Sequence, residues 1–297
     1  MGYGSKMDGI IIINKEKNYT SHDVVKKIKR LLNDKVGHTG TLDPNATGVL
    51  PILVGQGTKV SKYLMNHDKA YEAVLKLGEK RDTADIEGNV IEKREVNKEI
   101  LNKNIVEEKL KQFIGKQKQI PPIYSAIKVN GKKLYEYARI GENVEIEPRN
   151  IEIYDIHLVK IDIENKEITF QVKCSKGTYI RTLCEEIAEK LNTVGYMKEL
   201  KRLQVGEFYL EDAIKIEELE NNLNNKEFMD NHFITIENYF SKYPELKLED
   251  KKINLLLNGV QLTCKQKDGI YRIYNQSHQF IGLAVLKGEL LKREIII

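Results

Sequence analysis

The chain has 297 residues, 41% of them hydrophobic, with 48 Lys and Arg against 44 Asp and Glu for a net charge of +4. That apolar content excludes a disordered chain, the length suggests about two domains at ~150 residues each, and so small a charge excess neither demands nor excludes a nucleic-acid partner until its distribution is known. Cys174, Cys184 and Cys264 are dispersed and odd in number, without CxxC spacing. This argues against a disulfide framework and a zinc site, and fits a reducing compartment. GIIIIN near the start is too short for a membrane span or a signal-peptide core. A soluble, cytoplasmic protein is therefore expected, with no membrane partner. MGYGSK, ahead of Met7, carries no pattern and reads as a leader or a frayed end.

In chain order, Gly9 to Asn14 reads as a buried strand. SHDVVKKIKRLLN reads as a helix with Ser21 as N-cap, Asp23 in its first turn, and an apolar stripe of Val24, Val25, Ile28, Leu31 and Leu32. The turn-rich GHTGTLDPNATGVLP follows, then a strand VLPILV, a short helix TKVSKYLMN and a strand AYEAVLKLG. EKRDTADIEGN is polar enough for a loop, and NIVEEKLKQFIG has helical spacing. PPIYSAIKVNGKKLYEYARIG opens on two prolines, turns at NG and ends in a short helix stopped by Gly141. Strands IEIYDIHLVKI and EITFQVKCS, an amphipathic helix TYIRTLCEEIAEKLN and a strand YMKELKRLQVGEFYL come next.

Strands and helices mix without strict βαβ alternation. That predicts an α+β fold with a mixed, largely antiparallel central sheet flanked by helices. Residues 211–250 read as polar helix, with NNLNNKEF as a linker or loose loop. From about Ile253 short strands return, as a small C-terminal β-rich module with its own core. The expected division is 8–240, including an insertion at about 121–149, and 250–297.

Asp43 is the one acid in the Gly37–Pro51 segment. Asp before Pro is by itself a common turn former. Three features set it apart: Gly37, Gly40 and Gly48 permit close backbone approach, as a ligand site requires; loops on a rigid sheet carry catalytic groups; and no cation stands close by in sequence, so a distant Arg is needed.

GHTGTLDPNATGVLPI resembles the catalytic motif of the TruB family of pseudouridine synthases. Four further segments resemble that family's motifs in the same order: DGIIIINKEKNYTSHDVV with Lys15, KAYEAVLKLGEKRDTADIEG with Tyr71, IPPIYSAIKVNGKKLYEYARIG as an RNA-contacting insertion, and CSKGTYIRTLCEEIAEKL with Tyr179 and Arg181. The match runs from about Asp8 to Phe208, and the tail resembles the family's small PUA-like RNA-binding domain. The resemblance implies isomerisation of a uridine in the T stem-loop of tRNA, at the place called position 55, by one chain acting without protein partner, cofactor or metal.

The resemblance also assigns roles. Asp43 matches the family's catalytic aspartate, as nucleophile toward C1′ or as base at C2′. Tyr71 matches the stacking tyrosine, Arg181 the partner of the acid, and Tyr179 a positioning or proton-relay group. His38 matches a histidine that helps the base leave its stack, and Lys15 is placed with the substrate-binding residues. In the insertion, Lys128, Lys132, Lys133 and Arg139 interleave with Tyr124, Tyr135 and Tyr137 as candidates for RNA contact. A guide-RNA-dependent enzyme of the dyskerin type and a tRNA-folding chaperone are the alternatives; the intact insertion and the short tail favour the stand-alone enzyme, expected as a monomer.

Overall fold

A computed structural model describes residues 7–64 and 67–297. MGYGSK, and the last two residues of the TKVSKYLMN helix, lie outside the described residues.

The main sheet has ten strands. Eight lie side by side in the order Phe233–Thr235, Gly9–Lys15, Thr47–Val54, Gly195–Val205, Lys69–Leu77, Glu167–Cys174, Arg149–Asp162, Gly115–Gln119; Val36–His38 and Phe208–Tyr209 add on at the side. Neighbours pair antiparallel except where Lys201 and Arg202 run parallel to Thr47 and Gly48. The sheet is thus mixed and largely antiparallel, as the element pattern predicts.

The four isoleucines of GIIIIN have a simple cause. Successive side chains of a strand point to opposite faces, and both faces here are covered. Ile11 and Ile13 enter a core with Val24, Val25 and Ile28 of helix Ser21–Leu32 and Ile216 and Leu219 of helix Ile216–Asn222. Ile10 and Ile12 enter another, with Val49, Leu53, Phe208 and Phe240. The far half of the sheet is covered on one face. Tyr71, Ala73, Leu75 and Leu77 alternate inward against Leu183, Cys184 and Ile187 of helix Ile180–Lys190 and Val106 and Leu110 of helix Lys103–Lys111.

Several expectations change on contact with the structure. Thr20, not Ser21, caps the first helix: its hydroxyl accepts from the Asp23 N–H at 3.0 Å, and the Asp23 carboxylate accepts from the Thr20 N–H at 3.0 Å. Ser21 is free for another partner. The polar stretch after Gly78 is not all loop, since Glu79–Arg81 pairs with Val90–Lys93 as a hairpin. NNLNNKEF covers the end of helix Ile216–Asn222, a tight turn over 223–225 and the start of helix Lys226–His232, and the chain then returns to the sheet edge as Phe233–Thr235, so this region is packed rather than a linker. The NG turn of the insertion forms as read: Asn130 and Gly131 take φ of 50° and 82° between strands Lys128–Val129 and Lys132–Lys133, the left-handed pair that a two-residue hairpin needs.

The tail is a five-stranded sheet that begins with Glu245–Lys247 and is closed by Leu262–Thr263. Its core is only partly its own. Leu256, Tyr271, Ile273, Ala284, Leu286 and Leu291 pack together, but Leu283 and Ile295 belong to the core that holds Ile10, Ile12, Val49 and Leu53. The expectation of a separate small core is corrected accordingly, because both faces of FIGLAVL are apolar and both are used. The Tyr63 hydroxyl donates to Glu294 at 3.0 Å across the same junction.

Leu283 is fully buried, so Leu283→Ala is expected to cost about 2–5 kcal/mol. Because the core is shared, the loss should register in the main sheet, with faster amide exchange along Gly9–Lys15. A chain ending at residue 249 should aggregate. Unchanged exchange in that strand, with a soluble truncated chain, would show the tail to be independent.

Candidate active site

The loop that carries Asp43 is pinned on both sides of it. The hydroxyl of Ser21 donates to the Leu42 carbonyl at 3.1 Å and accepts from the Leu42 N–H at 3.0 Å. The ammonium of Lys15, fully buried, donates to the carbonyls of Glu16, Tyr19 and Pro44 at 3.0, 2.6 and 3.1 Å. An ammonium has three donors and no acceptor, so three inward carbonyls match it. Between pinned Leu42 and pinned Pro44, Asp43 turns its carboxylate outward; its side chain is 54% exposed. The backbone is held and the carboxylate reaches solvent.

Arg181 stands on the first turn of Ile180–Lys190, its side chain 10% exposed. Its Nε lies 3.9 Å from an Asp43 oxygen and its Nη1 3.7 Å from an Asp85 oxygen. Nη1 also donates to the Thr83 carbonyl at 3.2 Å and Nη2 to the Tyr124 carbonyl at 3.0 Å. The distant arginine that Asp43 lacks in sequence is therefore supplied in space. Asp85, which the sequence reading passed over, is itself fixed by the Thr83 hydroxyl at 2.6 Å and the Glu87 N–H at 3.0 Å. A guanidinium with planar donors can serve two carboxylates and two carbonyls at once; an ammonium could not span them.

Arg202 is the second residue missed. It is 1% exposed, beneath the same loop, with Nε donating to the Val49 carbonyl at 2.8 Å and Nη2 to the Gly40 carbonyl at 2.5 Å. It also bonds the Tyr71 hydroxyl. Burial pushes the Tyr71 phenol up, and the Arg202 charge partly offsets this. Two glycines of the loop make room for this arginine. Gly40 and Gly48 have φ of +67° and +103°, and a Cβ on Gly48 would stand 2.2 Å from the Arg202 carbonyl oxygen. Gly37 has no such neighbour.

Asp43, Tyr71 and the Tyr179–Arg181 helix start come from three separate segments of chain and line one cavity of about 370 Å³, together with Met197 and Leu200. The insertion adds Tyr124, Ser125 and Tyr135 to its wall. The remaining expected residues fall elsewhere. Lys15 lies behind the loop. His38 sits half-buried on Val36–His38, outside the cavity lining, with its Nδ1 buried and without a hydrogen-bond partner among the described residues; burial lowers its pKa. Lys133 and Arg139 place their cations 5.4 and 5.2 Å from the ring centre of Tyr135, and so reach the cavity through that ring. Lys132 lies 5.6 Å from the Tyr137 ring, and Lys128 is exposed on the hairpin; neither lines the cavity.

Comparison with known proteins agrees in sequence and in fold. The model of the TruB family pseudouridylate synthase N-terminal domain matches residues 27–180, and that of the tRNA pseudouridylate synthase B C-terminal domain matches residues 181–241. The chain is 44% identical over 288 residues to tRNA pseudouridine synthase B of Clostridium kluyveri, covering 95% of this chain and 96% of that one. It is 41% identical over 289 residues to the protein of that name from Caldanaerobacter subterraneus subsp. tengcongensis, covering 96% and 98%. Among solved structures, a chain of a Cbf5-Nop10-Gar1 complex superposes with a TM-score of 0.68 at 23% identity, covering 98% of this chain and 85% of that chain. That last likeness is one of fold.

Lys15→Met should leave the three carbonyls without their donor, at about 1–3 kcal/mol for each that stays dry. Burial lowers the Lys15 pKa from its usual 10.5 to about 8, with Asp43 opposing. Between those values the unfolded chain holds this proton more firmly, so Lys15 makes stability rise with pH. Denaturation midpoints across that window should rise in the native protein relative to Lys15→Met; parallel curves would show that Lys15 does not change its proton affinity on folding.

Proposed function

Because the chain belongs to the TruB family of pseudouridylate synthases, we propose that its Asp43 cavity is where the family's isomerisation takes place, on the T-loop uridine of tRNA at position 55. The enzyme is an isomerase that forms pseudouridine in tRNA. The observation that carries the assignment is the convergence of Asp43, Tyr71, Tyr179 and Arg181 on one cavity.

A uridine inside a folded loop must leave its stack before an acid can reach its sugar. The Tyr71 ring, fixed from below by Arg202, replaces the lost stacking. With the base held, the N1–C1′ bond breaks, C5 bonds to C1′, C5 gives up its proton and N1 gains one; atoms and electrons balance within the nucleotide. Asp43 is the group that meets the sugar. Its exposure suits that task, because a carboxylate sealed behind its own loop could not approach C1′ or C2′. Arg181 keeps a positive charge beside it, and Tyr179 walls the far side of the base. Lys133 and Arg139 hold Tyr135 and add charge for the phosphates at the mouth. Lys128 and Lys132 extend that positive surface outward along the hairpin, and Lys15 acts through the backbone of the loop.

The absence of any helix among the described residues long and apolar enough to cross a membrane, and three free cysteines, support work in the cytoplasm. The complete insertion supports action of a single chain on RNA without a guide or protein partner.

Asp43→Asn keeps size and removes charge. Pseudouridine in T-arm RNA, mapped by mass, should fall by at least ~10²-fold while RNA binding is kept. A mutant with native turnover would sink the assignment, and a mutant that loses binding as well would point to a chaperone-like role for the loop. In the same assay Tyr71→Leu should weaken binding by about 1–3 kcal/mol more than Tyr71→Phe; equal binding by the two would remove the stacking role.

A further inference from the structure

We propose that Gln119 is a positioning residue for the reaction, one that fixes Tyr179 and, through the helix start that Tyr179 opens, Arg181. This rests on the reading of the cavity given above.

Tyr179 occupies the N-cap of Ile180–Lys190, and its side chain makes no capping hydrogen bond. Ser, Thr, Asp and Asn are the usual residues there because their oxygens cap the free N–H groups of the first turn. A tyrosine whose ring lines the cavity cannot do this, so the helix start that carries Arg181 lacks an anchor of its own. Gln119 supplies one from the edge strand Gly115–Gln119. Its Oε1 accepts from the Tyr179 N–H at 2.8 Å, and its Nε2 donates to the Tyr179 carbonyl at 3.1 Å. One side-chain amide thus takes both backbone groups of one residue, as a neighbouring strand would. The two partners also fix which end of the amide is which, since an N–H must face the oxygen and a C=O the nitrogen.

Gln119 is 2% exposed although its neighbours Lys116 and Lys118 on the strand face out. A buried amide with no other hydrogen bond is costly unless paired, and here all its pairing is spent on Tyr179. The same junction is stitched twice more: the Thr182 hydroxyl donates to the Ile120 carbonyl at 3.3 Å, and Arg181 donates to the Tyr124 carbonyl. The insertion leaves the strand immediately after Gln119. Its root and the catalytic helix are therefore held in one register, and Gln119 is the buried member of that junction.

Glutamate in place of Gln119 makes the test. Protonated, a carboxylic acid donates through O–H and accepts through C=O, and so replaces the amide. Ionised, it only accepts and faces the Tyr179 carbonyl with like partial charge. Burial raises a carboxyl pKa, bringing the change into the working range. With purified full-length protein and T-arm RNA, Gln119→Glu should turn over within about threefold of the native enzyme near pH ~6 and fall about tenfold behind it by pH ~8.5, with RNA affinity unchanged. Gln119→Leu should lose turnover at every pH while still binding RNA. A Gln119→Glu profile parallel to the native one, or no activity at any pH, overturns the inference alone; so does native turnover in Gln119→Leu. A native protein that makes no pseudouridine overturns the functional reading and this inference with it.

Discussion

The Arg181 guanidinium is the point on which the site is built. It is nearly buried, and a buried charge is tolerated only when paired and hydrogen-bonded. Asp43, Asp85 and the carbonyls of Thr83 and Tyr124 meet that requirement from three separate segments of chain. The converse matters as much: those segments stay where they are because the cation needs them. The Asp43 loop, the hairpin turn that carries Asp85 and the root of the insertion are otherwise polar, turn-rich pieces with few apolar side chains to dock them. One planar cation ties all three together, beside the bonds that pin the Asp43 loop from beneath.

Two further buried cations play the same part beneath the loop. Lys15 and Arg202 each give a donor to a carbonyl of the turn, Pro44 and Gly40, and spend the others on the segments beside it. A loop that must bring an acid to a ligand cannot be a strand, and its backbone oxygens still need partners. Long cationic side chains reaching up from strands solve this with no insertion of bulk above. The outcome is a rigid backbone under a half-exposed carboxylate, which is the combination a preorganised catalytic acid needs.

How much of this was legible in sequence depends on the kind of physics involved. Local patterns were readable: the 3.6-residue stripe of the first helix, the alternation of AYEAVLKLG, the NG turn and the Gly141 stop all depend on neighbours in the chain. The fold class followed from the lack of βαβ alternation. Asp43, Tyr71, Tyr179 and Arg181 were found through ordered motifs, and the cavity unites them. Asp85 was hidden among other acids of DTADIEG, because only a tertiary partner distinguishes it. Arg202 left a fainter signal. In KELKRLQV, period two puts it on the face of Leu200, but a charged residue in a lysine-rich strand reads by default as solvated. Ser21 was misread because Thr20 beside it offers the same cap chemistry. The shared core of the tail was missed because an apolar run with both faces covered looks the same whether one body covers it or two.

The insertion then has a physical link to the chemistry that its sequence did not advertise. It supplies Tyr124 and Tyr135 to the cavity wall, and the Tyr124 carbonyl accepts from Arg181. Whatever binds against Tyr135 and its two cations presses on a wall whose other end holds the arginine beside Asp43. Displacing that segment removes one of the acceptors that a nearly buried guanidinium requires, so its position and the orientation of Arg181 are one equilibrium rather than two. A segment with short strands and a seven-residue helix has little packing of its own, and this contact is one of those that fix it. On the proposed function, RNA recognition by the insertion and alignment of the acid would be joined through this hydrogen-bonded cation.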